Sequence, residues 1–320
     1  MDRIVLAYSG GLATSIAIPW LAERYGAEII TVTMDLGQGK ELLEEIRDRS
    51  LATGALRAHV VDVRDEFARS YIVRALKAGF LGGAEAAAPA ALSRPLVAQK
   101  LVTIAHIEQA TAVAHGDADG NAALEMTVGS LDPALTVLAP AGEWGMTLSQ
   151  QADYARERGV VAGASAGAFD DRYAGARSPI DVAGEPASVD VAFERGVPVA
   201  INGVVMPLLD LLASLEIIAG VHGVGRLAAL HVAHQALQRA TLDEAAAAFS
   251  NDVAEEYRRI LRNGAWFAPM REALDAYVDK IHERITGTVR LTLVKGDCTV
   301  VDCKTSAASP APFIALTKAH

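Results

Sequence analysis

Aromatic residues make up only 5% of this 320-residue chain, and cysteine occurs twice. Two cysteines, Cys298 and Cys303, are too few for a disulfide scaffold. They stand five positions apart, which places them on opposite faces of a regular strand, so no shared metal is expected of them. Basic residues are outnumbered, with Lys+Arg 29 against Asp+Glu 39 and a net charge of -10. A dedicated nucleic-acid binder needs a basic face, so nucleic acid is not an expected partner. Uninterrupted apolar runs are also missing. The longest, Gly196–Gly220, is broken by Asn202, Pro207, Asp210 and Glu216, so no membrane span is expected. No basic and apolar leader precedes Ile4–Tyr8, so no signal peptide is expected and the expected location is cytoplasmic. What is plentiful is apolar residue, at 51%, much of it alanine as in Ala245–Ala248. Alanine adds little burial per residue, yet the length suggests about two domains, each with a core.

The first half alternates short apolar runs with helical patterns. Ile4–Tyr8, Glu28–Thr33, Arg57–Asp62, Ala112–His115 and Thr136–Pro140 read as strands. Between the first two, Ala17, Trp20 and Leu21 share a helix face that Gly26 ends. Pro19 removes a helix donor there, so a kink or a late helix start is expected. Lys40–Thr53, Asp65–Ala78 and Pro95–Glu108 read as further helices, and the charged face of Lys40–Arg49 as solvated. Strands separated by helices imply a parallel sheet covered on both faces, with ligands beyond the carboxyl ends of its strands. The loops after Tyr8, Thr33 and His115 are the places for chemistry. A Gly-, Ala-, Ser- and Pro-rich stretch at Ala162–Pro186 marks the boundary. Beyond it, strands at Ser188–Phe193 and Pro198–Asn202 precede helices near Pro207–Ala219, Leu230–Arg239, Leu242–Arg262 and Pro269, and strands at Thr286–Leu293 and Thr299–Asp302 follow them. The fold class is thus α/β, with an N-terminal parallel-sheet domain over 1–162, an α+β domain over 163–303 and a short tail over 304–320.

Ser9-Gly10-Gly11-Leu12-Ala13-Thr14-Ser15 joins the first strand to the first helix. Adjacent glycines let successive backbone N–H groups point into one hollow, and the positive end of the helix dipole faces the same place. Ser9, Thr14 and Ser15 add hydroxyl donors. The segment is an anion cradle suited to phosphate or pyrophosphate. It lacks the patterns of a Walker loop and of a Rossmann dinucleotide turn.

Ala7–Ser15 (AYSGGLATS), Thr31–Arg47 (TVTMDLGQGKELLEEIR), Arg94–Val102 (RPLVAQKLV), Ala112–Gly116 (AVAHG) and His222–Arg226 (HGVGR) occur in this order. With WFAPMREALDAYVD and TGTVRLTLVKGDCTVV further on, the chain closely resembles the argininosuccinate synthase family over nearly its whole length. The resemblance implies a pyrophosphate-loop nucleotide domain of the adenine-nucleotide α-hydrolase type and a C-terminal synthetase domain. It implies an AMP-forming carbon–nitrogen ligase of arginine biosynthesis that uses ATP and Mg²⁺. In that reaction the ureido oxygen of citrulline is activated as an AMP adduct, pyrophosphate leaves, and the amino group of aspartate displaces AMP. No covalent enzyme intermediate arises, so no catalytic nucleophile is assigned and no metal ligand is named. By match to the family pattern, Ala7, Tyr8, Ser9, Gly10, Gly11, Thr14, Ser15, Met34, Gln38 and Gly116 bind nucleotide. Arg94, Gly120 and Asn121 bind substrate, an amino-acid-like small molecule. A homo-oligomer, dimer or tetramer, is implied as well.

Departures from the family pattern fall on the pockets. Ala13 stands where the loop usually has an acid, and Met34 where a small residue usually meets the adenine edge. Ala86 and Ala90 replace a tyrosine and a threonine, and Ala122 an aspartate. The segment after HGVGR and the C-terminal arm are shortened. Three readings follow: a ligase of this type with a changed substrate, the ordinary synthase with rebuilt pockets, and a non-catalytic nucleotide-binding relative acting as a subunit or regulator. Among weaker candidates, His222 reads as a packing residue. His231 and His234 are a helical pair able to ligate metal, and Asp117, Asp119, Asp170 and Asp171 read as solvated loop acids. Trp144 and Trp266 read as core or interface aromatics.

Overall fold

A computed structural model describes residues 2–81, 89–116, 122–163 and 184–306. The chain divides into two units, one built from Met1–Arg74, Glu85–Ala174 and Glu256–Ala273, the other from Ala75–Ala84, Gly175–Glu255 and Leu274–His320.

The first unit is organised by strands β1 (Arg3–Ala7), β2 (Glu28–Asp35), β3 (Arg57–Asp62), β4 (Ala112–Ala114) and β5 (Thr136–Leu138). They form one sheet in the order β3-β2-β1-β4-β5, and every pairing is parallel. Ile4, Val5 and Leu6 in the central strand are wholly buried, as expected where helices cover both faces. Helix α1 (Leu12–Tyr25) follows β1, and α2 (Lys40–Ala52) follows β2. The late start expected from Pro19 does not occur. Helix α1 begins directly after Gly11 and carries Pro19 inside, then stops at left-handed Gly26.

After β3 the helical segment is α3 (Arg64–Phe67), a π-turn at Ala68–Ile72, and α4 (Val73–Lys77). Helix α5 (Pro89–Glu108) begins six residues earlier than the sequence pattern predicts, with Pro95 inside it. Helices α6 (Ala122–Leu131), α7 (Pro140–Glu143) and α8 (Leu148–Glu157) complete this stretch. The segment Glu256–Ala273 returns to the first unit and supplies Trp266, which is 1% exposed and stacks on Tyr71 at 5.3 Å. Trp266 is therefore a core aromatic of this unit.

In the second unit β6 (Ala187–Glu194), β7 (Val197–Ile201), β8 (Val204–Val205), β9 (Gly287–Val294) and β10 (Asp297–Thr305) form an antiparallel sheet in the order β10-β9-β6-β7-β8. Alternate residues Val189, Val191, Phe193, Val289, Leu291 and Leu293 are buried. Helix α9 (Leu208–Val221) packs on β7, and α10 (Arg226–Thr241) packs on β9 and β10. Helices α11 (Glu244–Arg262) and α12 (Pro269–His282) follow. No single helix among the described residues is long and apolar enough to cross a membrane.

One expectation about the cysteines is corrected. Strand β10 shifts register between Val300 and Asp302, so Cys298 pairs with Leu293 and Cys303 with Val289. Those partners are four apart on one strand and share a face. The bulge thus brings both cysteines to the same side of the sheet. Neither is fully buried, and both are free thiols.

Candidate nucleotide site

In the first sheet β2 and β3 lie to one side of β1, and β4 and β5 to the other. The order reverses beside β1, so the crevice for a ligand lies past the carboxyl ends of β1 and β4. Tyr8–Gly11 leaves β1 there, and His115-Gly116 leaves β4. Gly116 meets the first loop directly, because a β-carbon on it would stand 2.5 Å from Thr14 Cγ2.

The loop is held by local hydrogen bonds. Gly10 takes a φ of 81°, a left-handed value that favours glycine. The hydroxyls of Ser9 and Thr14 lie 3.2 Å apart, and Thr14 donates to the Gly11 carbonyl at 3.2 Å. Gly11 caps α1 without a side-chain bond, and the first turn holds no acidic residue. The positive helix end therefore stays uncompensated by carboxylate, which is the condition for anion binding.

Ser15 has its hydroxyl engaged on the inner side of the loop. It is fully buried, and its Oγ lies 3.0 Å from the hydroxyl of buried Tyr8. Burial pushes the Tyr8 hydroxyl up from its ordinary pKa, while the Ser15 hydrogen bond and the Arg49 charge pull it back. Tyr8 and Ser15 thus fix β1 to α1 from inside, and Thr33 Oγ1 secures the loop's start by donating to the Tyr8 carbonyl at 2.9 Å.

At the end of β2, Met34 is buried and its carbonyl accepts from Gln38 Nε2 at 2.9 Å. Gln38 Oε1 accepts from the Leu36 N–H at 2.6 Å. Gln38 therefore shapes its own turn, in which Gly37 and Gly39 take positive φ. Ala7 ends β1. Arg94 is half-buried on α5 and has no ion-pair partner among the described residues. Gly120 and Asn121 lie outside the described residues, as do Ala86, Asp117, Asp119, Asp170 and Asp171.

A residue the sequence reading missed stands behind the loop. The charged face of α2 was expected to be solvated, yet Arg49 is only 7% exposed. Its guanidinium donates to the Gly10 carbonyl at 3.0 Å. No pattern of spacing announces this, because Arg49 sits among exposed charges in sequence and is singled out only by the approach of the loop.

Elsewhere, His234 and His282 stack at 5.2 Å, and Phe193 meets His234 edge-on. No group of three or more His, Cys, Asp or Glu among the described residues is arranged to hold a metal ion. His222 ends α9, and its carbonyl accepts from Gly296 at 2.7 Å.

A parallel sheet of this order, with a glycine-lined anion hollow at its switch point, defines a nucleotide-binding α/β domain, here joined to a second, antiparallel unit. The family model "Arginosuccinate synthase N-terminal HUP domain" matches residues 3–161, and "Arginosuccinate synthase C-terminal domain" matches 149–231 and 227–309. Argininosuccinate synthase of Symbiobacterium thermophilum is 37% identical, over 92% of this chain and 86% of its own. The enzyme of that name from Pelodictyon phaeoclathratiforme is 38% identical over 92% and 86%, and that from Pelotomaculum thermopropionicum is 38% identical over 95% and 88%. The chain belongs to the argininosuccinate synthase family, whose members are ATP-dependent ligases.

Proposed function

We propose that this chain is an AMP-forming carbon–nitrogen ligase that binds ATP at Ser9–Thr14 and activates an amino-acid-like substrate other than citrulline. The observation that carries the first part is the retained hollow, with its paired Ser9 and Thr14 hydroxyls and a first helical turn free of acid. The altered pocket positions, Ala13, Met34, Ala86 and Ala90, support the second. Each hydrogen bond lost to a charged substrate group weakens binding by about 1.5–3 kcal/mol.

The chemistry asks little covalent work of the protein. The loop has to hold the leaving pyrophosphate in line while the substrate oxygen approaches the α-phosphorus, so positioning and fixed dipoles supply the rate. Gly11 and the first turn of α1 present N–H donors to the phosphates, and Arg94 offers a fork for a substrate carboxylate. Magnesium normally takes one or two protein carboxylates beside phosphate oxygens. Residues 9–15 offer none, and Asp35 is engaged with the Gly37 N–H at 2.8 Å and faces Arg64 at 3.7 Å. The donor set therefore does not fit a protein-held magnesium at this loop, and no step is assigned to one.

Family membership supports small-molecule substrates, a cytoplasmic setting, a homo-oligomer and a ligation of the kind used in arginine biosynthesis. A nucleotide-binding relative without catalysis is the second reading, favoured by Ala13 in place of the loop acid. Release of AMP from ATP in the presence of citrulline and aspartate tests the substrate claim. Little AMP is expected, and turnover at ordinary enzyme rates would show the pocket to be rebuilt for the usual pair.

A further inference from the structure

We propose that Arg49 is the positioning residue of the polyphosphate loop, clamping the Gly10–Gly11 peptide so that its N–H faces the bound anion; this rests on the nucleotide reading above. The guanidinium donates to the Gly10 carbonyl at 3.0 Å. In a planar trans peptide the carbonyl and the following N–H point in opposite directions. Fixing the Gly10 carbonyl toward α2 therefore aims the Gly11 N–H away from α2. In that direction the Gly11 N–H donates to the Ser9 hydroxyl at 3.5 Å, and the Ser9 hydroxyl lies 3.2 Å from that of Thr14. That Gly11–Ser9 bond is long, so a bound anion can take the Gly11 N–H from Ser9 and meet the N–H groups of the first turn beside it.

Three further contacts hold the clamp. A β-carbon on Gly10 would stand 2.9 Å from Ile46 Cγ1 and 3.2 Å from Arg49 Nη1, so α2 touches the loop at its closest approach. On the other side Gly163 closes over the guanidinium, because a β-carbon there would stand 2.1 Å from Arg49 Cζ. Arg49 also pairs with Glu45 at 2.5 Å, but the Glu45 side chain is 65% exposed. That carboxylate is largely solvated, so it offsets only part of the buried positive charge. The charge behind the loop adds to the helix dipole on the side where polyphosphate binds.

Calorimetric titration of the full-length chain with inorganic pyrophosphate and with ATP tests this, alongside thermal melting of each variant. Arg49→Gln is expected to weaken pyrophosphate binding by about tenfold or more. Arg49→Lys keeps a charge but loses the fork, so an intermediate affinity is expected. Gly163→Ala keeps the arginine in the sequence but pushes its guanidinium off the Gly10 carbonyl, and the same weakening is expected. A purely structural Arg49 would lower the melting temperature of Arg49→Gln and leave the affinity of its folded fraction unchanged, which overturns the proposal. Should Arg49→Gln fail to fold, unchanged affinity in both Arg49→Lys and Gly163→Ala overturns it equally. A wild-type chain that binds neither ATP nor pyrophosphate overturns the nucleotide reading itself, and the clamp with it.

Discussion

Gly116 and Thr14 approach so closely that a β-carbon on the glycine would stand 2.5 Å from Thr14 Cγ2. This contact joins the loop after β1 to the loop after β4 across the point where the strand order reverses. Thr14 cannot turn away freely, because its hydroxyl is bonded to the Gly11 carbonyl and faces Ser9. Gly116→Ala should therefore displace Thr14 and weaken ATP binding by roughly tenfold, with little change in melting temperature. Titration of both proteins with ATP measures the difference.

Glu108 makes a second, purely structural prediction. It is 2% exposed and receives hydrogen bonds of 2.7 Å from Arg57 and from His59. Burial alone would raise its pKa, but the bonds from His59 and Arg57 outweigh it and hold the carboxyl below the usual range. A depressed carboxylate contributes stability above its unfolded pKa and loses it as the pH falls through the folded value. Glu108→Gln should cost about 1.5–3 kcal/mol at pH 7, and the gap to wild type should shrink below about pH 4. Urea unfolding across that range checks both parts.

His234 has the opposite acid response to an ordinary exposed histidine. It is wholly buried, and neither ring nitrogen has a hydrogen-bond partner among the described residues. Burial, then the neighbouring His282, His231 and Lys77, push its pKa well below the usual value. The unfolded chain therefore takes up a proton below about pH 6.5 that the folded chain refuses, and stability falls by up to about 1.4 kcal/mol per pH unit. His234→Leu should flatten that slope and add about 1 kcal/mol at neutral pH by removing unsatisfied polar atoms. Chemical denaturation at pH 5 to 8 reads both effects.

The cysteines should be unreactive in the native chain. Burial pushes the Cys298 thiol up to about 11, and burial with the Asp302 charge raises Cys303. Alkylation at pH 8 should be about a hundredfold slower for native Cys298 than for the unfolded chain, since the thiolate is the nucleophile. Mass spectrometry of timed samples follows each residue.

Much of this was legible in the sequence where the cause is local. β1 reads as a strand because Ile4–Leu6 is a short apolar run closed by glycines, and the anion hollow because two of those glycines precede a helix. The capping box of α8, Thr147 with Gln150, is a local signal of the same kind. Arg49 was not readable, because its burial depends on Gly10 and Gly163, which are distant in sequence. Nor was the shared face of Cys298 and Cys303, since one bulged residue in β10 reverses the parity of every side chain beyond it. The contact between the Ser15 and Tyr8 hydroxyls is likewise tertiary, joining the end of a strand to the helix after it.

Exchange of labelled pyrophosphate into ATP, across a panel of ureido and carboxylate compounds, tests the central claim most directly. Exchange dependent on one such compound, slow with citrulline and reduced in Gly116→Ala, is the predicted result. No exchange with any compound, from a chain that still binds ATP, would contradict a ligase and leave a nucleotide-binding relative without catalysis.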